Sequence, residues 1–274
     1  MHIKIAVVQF DIQQLAPEAN LGKAEHFLKE ASSQQVQIIV FPEDFITGPL
    51  SGKRAFADYE RRYVKHFQQL ALRYAIDIVP GSFIEGDPTG LYNTTYYIEK
   101  TGEIKGRYQK VNLWLPERSY ITPGEQITVF NTVYGRVGLI ICWDLMFPEV
   151  FRSMVNQDVD MVICPSYWCF EDAGGGIRHD ANAEIKLVNA LCVTRAFENE
   201  VILVYANAAG SENIDGLEEH LIGRSQITVP FKGALTLLDH NKEAMFVQEV
   251  DTDILKDAEQ AYEIRKDLRT RFDY

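Results

Sequence analysis

Cys142 stands at the end of the apolar run Gly138-Leu139-Ile140-Ile141 and is followed by Trp143-Asp144 and then Phe147-Pro148-Glu149. The order reads as a buried strand running into a turn and then into a helix, with Pro148 at an early helical position where its missing N–H costs little. Such a junction lifts a side chain to a sheet edge and sets helix amides beside it, an arrangement that lowers a thiol pKa and offers donors to an oxyanion. Read locally, Cys142 is either a nucleophile or a buried structural thiol, since cysteine is a common core residue. A thiol nucleophile needs a base, usually a histidine. Of His2, His26, His66, His179, His220 and His240, only His179, after a glycine-rich loop, is placed to serve. Carboxylates at strand ends compete for that role. Gln37-Ile38-Ile39-Val40-Phe41-Pro42 leads into Glu43, beside Phe41 and Phe45. An apolar setting there would raise the carboxyl pKa toward that of a neutral-pH base; the alternative is a surface or capping glutamate. Gly106-Arg107-Tyr108-Gln109 ends in Lys110, whose ammonium would stabilise thiolate and oxyanion, or would simply face solvent.

These side chains need a scaffold that brings strand ends together. Strand-like and helix-like patterns alternate along the chain. Strands are predicted over Lys4–Phe10, Gln35–Phe41, Ile76–Ile84, Arg136–Ile141, Asp160–Cys164 and Val201–Asn207, several of them continuously apolar, as expected of strands covered on both faces. Tyr92–Glu99 and Ile104–Tyr108 flank Lys100-Thr101-Gly102 as a hairpin. Three short strands are predicted near Gln226–Val229, Ala234–Leu238 and Ala244–Val250. The spacing of Leu21, Ala24, Phe27, Leu28 and Ala31 predicts a helix, as does that of Phe56, Tyr63, Val64, Phe67, Leu70 and Ala71. Further helices are predicted after Pro148, over Glu184–Phe197 and in the charged segment Asp253–Leu268. The pattern fits a mixed α/β sandwich with helices outside.

The 274 residues, 46% hydrophobic, suit one α/β domain spanning 1–274. A formal net charge of −12 disfavours nucleic acid and anionic membrane surfaces as partners. The N-terminal apolar run is short and gives way to Gln9 and Asp11, unlike a signal peptide, and no later run is long enough to span a bilayer. The expected location is the cytoplasm, where disulfides among Cys142, Cys164, Cys169 and Cys192 are not expected. No Cys-x-x-Cys occurs and no histidine lies at zinc-finger spacing from a cysteine, so no metal site is expected.

Taken in order, Pro42-Glu43, Lys110 and Cys142-Trp143-Asp144 resemble the Glu–Lys–Cys triad of the nitrilase (carbon–nitrogen hydrolase) superfamily. The resemblance spans nearly the whole chain. Ala6-Val7-Val8-Gln9 is similar to the family's opening strand, and Pro116–Glu125 to the segment bearing a second active-site glutamate, here Glu117. Arg195–Asn199 with Asn207, and Gly223-Arg224-Ser225-Gln226-Ile227-Thr228-Val229-Pro230, resemble supporting segments after the nucleophile. The resemblance implies a four-layer αββα sandwich, no cofactor and no metal. It also implies a homo-oligomer, a dimer or multiple of dimers, with the 253–274 tail used in subunit contacts. It implies hydrolysis of a small-molecule linear amide or carbamoyl compound through a thioester on Cys142. Glu43 would be the base, Lys110 and the Trp143 N–H would hold the oxyanion, and Glu117 would orient substrate or Glu43.

Three other readings remain: a nitrilase making acid from nitrile, an acyltransferase using the same thioester, and a catalytically inert binding or scaffold subunit. True nitrilases of the superfamily usually carry Cys-Trp-Glu, so Trp143 points toward nitriles and Asp144 away. Amidases that take a substrate carboxylate often carry an arginine four residues past the cysteine, where Met146 stands here; Arg152 or Arg178 would have to substitute. The aromatic and glycine-rich loop 165–176 is the least family-like part. Tyr167, Trp168 and Phe170 are expected to line the pocket with Trp143 and Met146, and the loop's glycines would let it move as a lid. Such walls suit an apolar or aromatic amide.

Overall fold

Side chains in the first strand alternate between two cores. In β1 (His2–Asp11), Ile3, Ile5 and Val7 face one apolar cluster, while Ala6, Val8 and Phe10 face another. That is the period-two signature of a strand buried on both faces. The structure is a computed structural model describing residues 1–271. The remaining strands are β2 (Ile38–Val40), β3 (Asp77–Val79), β4 (Ser82–Asp87), β5 (Gly90–Ile98), β6 (Ile104–Gln109), β7 (Thr128–Thr132), β8 (Gly135–Leu139), β9 (Met161–Ser166), β10 (Ile202–Ala209), β11 (Ser211–Ile214), β12 (Leu217–His220), β13 (Gln226–Val229), β14 (Gly233–Leu237) and β15 (Ala244–Asp251). The helices are α1 (Pro17–Ser33), α2 (Arg62–Tyr74), α3 (Pro148–Val155), α4 (Ala183–Asn199), α5 (Asp253–Tyr262) and α6 (Ile264–Arg271).

The main strand path runs β4-β5-β3-β2-β1-β10-β9-β8-β7, with β6 beside β5, β15 beside β1 and β13–β14 beside β10. β1 and β10 pair only at their ends, Phe10 with Ala208 and Asp11 with Ala209. The path therefore folds at that seam into two sheets. Ile3, Ile5, Val7, Ile38, Val40 and Tyr97 from the first sheet meet Val137, Leu139, Ile163 and Val204 from the second in one core. α1 and α2 cover the outer face of the first sheet through Ala24, Leu28, Phe67 and Leu70. α3 and α4 cover the second through Phe151, Met154, Val188 and Cys192. The result is the expected αββα layering.

Differences from the sequence reading have local causes. The strand predicted over Gln35–Phe41 shortens to β2, because Gln35, with φ +57°, and Val36 still donate to the last turn of α1, at Ser32 and Ala31. The strand predicted over Ile76–Ile84 breaks at Pro80-Gly81 into β3 and β4. Gly81 has φ +59°, and a Cβ there would lie 1.9 Å from the Pro42 carbonyl oxygen. Only glycine lets β4 approach the loop that carries Glu43. Phe56 is 39% exposed in a short 3-10 turn ahead of α2, not in the helix. The C-terminal helices pack on their own chain: Arg265 donates to the carbonyls of Val159 (2.6 Å), Asn199 (3.1 Å) and Glu200 (2.6 Å). Residues 272–274 of the tail expected to serve subunit contacts lie outside the described residues.

Candidate active site

The C-terminal ends of four strands converge on one cleft. Glu43 follows β2, Lys110 follows β6, Cys142 follows β8, and Tyr167 and Trp168 follow β9; all five line the cleft, together with Glu117, Trp143 and Trp114. The carboxylate of Glu43, 3% exposed, accepts from Lys110 Nζ (2.8 Å) and Asn93 Nδ2 (2.8 Å) at one oxygen and from the Tyr167 N–H (2.9 Å) at the other. Lys110, 2% exposed, also pairs with Glu117 at 2.7 Å. Glu117 sits in a 3-10 turn (Glu117–Ser119), where its carboxylate accepts from the Trp114 N–H (2.7 Å) and Asn93 Nδ2 (3.0 Å). Both glutamates and the lysine are thus held in one hydrogen-bonded unit, as buried charges must be.

Cys142 opens a 3-10 turn (Cys142–Met146) with φ +45°, a left-handed conformation uncommon outside glycine and characteristic of strained functional turns. Its Sγ lies 3.7 Å from the Tyr167 carbonyl oxygen. Asp144, fully buried, clasps the turn. Its carboxylate accepts from the Ile141 N–H (3.0 Å), the Tyr108 hydroxyl (2.8 Å), the Asn112 N–H (2.9 Å) and Asn112 Nδ2 (2.9 Å). The Cys142 turn is thereby fastened to the residues on either side of Lys110. Arg195 holds the far end of the turn, donating to the carbonyls of Leu145 (3.0 Å) and Met146 (2.9 Å). Asn207 pins the aromatic wall: its Oδ1 accepts from the Trp168 N–H (2.8 Å), and its Nδ2 donates to the carbonyls of Trp168 (3.2 Å) and Gly223 (2.9 Å).

The electrostatics assign protonation states. Burial pushes the Cys142 thiol well above its usual range, and the Glu43 charge adds to this while Lys110 opposes it. The resting sulfur is therefore a neutral thiol in need of a base. Burial also raises the Glu43 carboxyl, against the attraction of Lys110 and with the repulsion of Glu117. For Lys110 burial opposes the charge, but Glu117 and Glu43 together outweigh it and hold its pKa well above the ordinary lysine value. Lys110 is a fixed ammonium, suited to hold an oxyanion and unsuited to accept a proton.

Some expected site residues lie elsewhere. Met146 does not line the cleft; its half-buried side chain packs on the core. Phe170 likewise packs on the core at the head of a 3-10 segment (Phe170–Arg178), and His179, at its end, is exposed and away from the cleft. Asp144 lies beneath the turn and outside the cleft, so its relation to substrate is through the backbone it holds. Asn93, which bridges both glutamates, escaped the sequence reading. The signal for it is a polar amide in the middle of Tyr92-Asn93-Thr94-Thr95-Tyr96, where asparagine is a poor strand former. Asp44, Asp172 and Glu219 also line the cleft, and nothing in their local sequence marks them. Among the described residues no group of three or more His, Cys, Asp or Glu is arranged to hold a metal ion, and no helix is long and apolar enough to cross a membrane.

The carbon-nitrogen hydrolase family model matches residues 4–258. The chain belongs to the carbon–nitrogen hydrolase family. As a carbon–nitrogen hydrolase it has relatives named for more than one activity. A nitrilase of Pyrococcus abyssi is 31% identical over 96% of this chain and 100% of its own length. A 2-oxoglutaramate amidase of Bacillus subtilis is 25% identical over 97% of each chain. Among solved structures, an amidase from Nesterenkonia sp. AN1, a cysteine-to-alanine mutant bound to butyramide, superposes with a TM-score of 0.80 at 25% identity, covering 97% of this chain and 96% of that one. A second mutant of the same amidase carries the acetamide moiety of fluoroacetamide covalently on its active-site cysteine. A Helicobacter pylori carbon-nitrogen hydrolase shares the fold at a TM-score of 0.88 and 20% identity, covering 98% of this chain and 95% of that one. The hydrolase fold here is therefore the nitrilase-type α/β sandwich.

Proposed function

We propose that this carbon–nitrogen hydrolase is an amidase that cleaves a linear amide or carbamoyl compound through a thioester on Cys142. The observation that supports the reading is the buried unit of Glu43, Lys110 and Glu117 beside the Cys142 thiol in one cleft. Glu43 takes the thiol proton as sulfur attacks the carbonyl carbon. The Lys110 ammonium and the Trp143 N–H hold the resulting oxyanion. Collapse expels the leaving nitrogen, which receives the proton from Glu43, so ammonia or an amine departs and a thioester remains. Glu43 then removes a proton from water as the hydroxyl adds to the thioester; acid is released and the thiol is restored. Glu117 keeps Lys110 charged and orients Glu43 through Lys110 and Asn93. The covalent adduct on the Nesterenkonia amidase's cysteine supports a cysteine nucleophile.

The nitrilase reading draws support from the Pyrococcus relative's name. Ammonia release from a nitrile and from its matching amide separates the two, with amide turnover expected to dominate. In the same assay Cys142→Ala, Cys142→Ser and Glu43→Gln are each expected to lose about 10²–10⁴-fold in rate. Wild-type turnover by any of the three would sink the assignment.

A further inference from the structure

The cleft is acidic beyond what its chemistry uses. Five carboxyl groups line it, from Glu43, Asp44, Glu117, Asp172 and Glu219, against one cation, Lys110. Lys110 is fully engaged by Glu43 and Glu117. Asp44, Asp172 and Glu219 form no ion pair among the described residues, although each borders the space that substrate must fill. Asp44 is the most exceptional. It is 6% exposed, and its buried Oδ1 has no hydrogen-bond partner. Burial, with the charges of Glu43 and Glu117 adding to it, pushes this carboxyl well above the usual range, so it rests protonated, and a cation or donor entering the cleft would favour its ionised form.

The other two carboxylates are held in place, not loosely exposed. Asp172 accepts from the Cys169 N–H at 2.8 Å. Glu219 lies on the β11–β12 hairpin, which is fastened next door: the His220 N–H and Nδ1 each meet the Glu171 carboxylate at 2.8 Å. Burial pushes the Asp172 carboxyl up to about 7, with the Cys169 N–H opposing and Glu184, Glu219 and Glu43 adding repulsion. Burial also raises Glu219, with Glu171 adding to it. Glu219 and Glu43 thus repel Asp172, while Glu43 and Glu117 repel Asp44, and a cation in the cleft would relieve that repulsion.

We infer that the substrate's non-reacting end carries a positive charge, an alkylammonium group held by Asp44, Asp172 and Glu219, while its amide or carbamoyl carbon faces Cys142. This rests on the hydrolase reading of the same cleft. It replaces the expectation of a purely apolar or aromatic amide: Trp114, Trp143, Trp168 and Ile214 supply walls for a methylene chain, and the carboxylates supply its terminus. An amide ending in a carboxylate meets no free cation on the cleft's described walls.

The test uses three matched series of primary amides, with three to five methylenes, ending in methyl, ammonium or carboxylate. Ammonia release by the wild type is expected to give the ammonium series a kcat/KM about 10–100-fold above the methyl series, the range set by hydrogen bonds to a charged group. The carboxylate series should be slowest. The double variant Asp44→Asn with Glu219→Gln is expected to lower the ammonium-to-methyl ratio about tenfold. Equal rates for the ammonium and methyl series, or a faster carboxylate series, would overturn the inference. Calorimetric binding of the same compounds to Cys142→Ala separates this outcome from failure of the hydrolase reading. If no amide is hydrolysed yet the ammonium compounds bind more tightly, the chemistry is wrong and the charge preference stands. If binding is indifferent to the terminal charge, the preference is wrong whatever the chemistry.

Discussion

Replacing Asp144 by asparagine preserves shape and removes one acceptor oxygen with its charge. The carboxylate accepts four donors, two at each oxygen: Ile141 N–H and Tyr108 hydroxyl at one, Asn112 N–H and Nδ2 at the other. If the new amide oxygen keeps the Asn112 pair, the new NH₂ faces the Tyr108 hydroxyl, which can rotate and accept, and the Ile141 N–H, which cannot. If the amide flips, it faces the Asn112 backbone N–H instead. Either way one buried backbone donor loses its acceptor, at about 1–3 kcal/mol, and the surviving bonds lose charge assistance. Relief from burying a charge offsets part of this, because burial already raises the Asp144 carboxyl. A net loss of about 3 kcal/mol is expected in urea titrations read by tryptophan fluorescence. Because Ile141 precedes Cys142, and Tyr108 and Asn112 flank Lys110, kcat should fall with stability. Asp144→Glu adds a methylene to a fully buried site and should also destabilise, by about 1–3 kcal/mol, without creating nitrile hydrolysis. An Asp144→Asn protein within about 1 kcal/mol of wild type and fully active would refute the clasp.

Arg195→Met should cost about 2–4 kcal/mol in the same titration, since the Leu145 and Met146 carbonyls lose their donors; unchanged stability would show that the turn holds itself. Glu200, fully buried, has its carboxyl raised from 4.5 to about 7 by burial and by a hydrogen bond with Glu259. A raised folded-state pKa means that its contribution is full below 4.5 and gone once the pH has climbed past about 7. Urea midpoints should therefore fall over that window, and Glu200→Gln, which keeps an acceptor for the Ile264 N–H, should flatten the fall; a parallel profile in the variant counts against it.

Much of the site is legible in the chain because buried strands are written in runs of Val, Ile and Leu, and the residues just past such a run sit at a sheet edge. Glu43 and Cys142 each stand in that position, whereas Lys110 ends the polar strand Ile104-Lys105-Gly106-Arg107-Tyr108-Gln109. The features that escape the sequence have a physical reason. β7 is half-exposed along its length and carries little apolar signal. The β11–β12 hairpin pairs through Glu212, Glu218, Glu219 and His220, residues that read as loop. Met146 and Phe170 are expected to line the pocket from proximity to Cys142 and to the aromatic loop, yet the direction of each side chain is set by the turn it sits in.

The sequence by itself determined the alternation of strands and helices and which of their faces are buried, because period-two and helical apolar patterns mark them; the four-layer stacking and the Glu43, Lys110 and Cys142 set are what the family resemblance adds. No histidine stands in an apolar strand-end setting, and it is the family resemblance that implies Glu43 as the partner of Cys142. Only the tertiary structure decided how the charges balance. That Glu43 and Glu117 share one lysine, that Asn93 bridges them, and that Asp144 ties the Cys142 turn to the lysine strand depend on contacts between segments dozens of residues apart. The surplus of negative charge in the cleft has the same origin. Asp44, Asp172 and Glu219 are ordinary acids in the chain, and they acquire meaning only where folding gathers them around one space without a counter-ion.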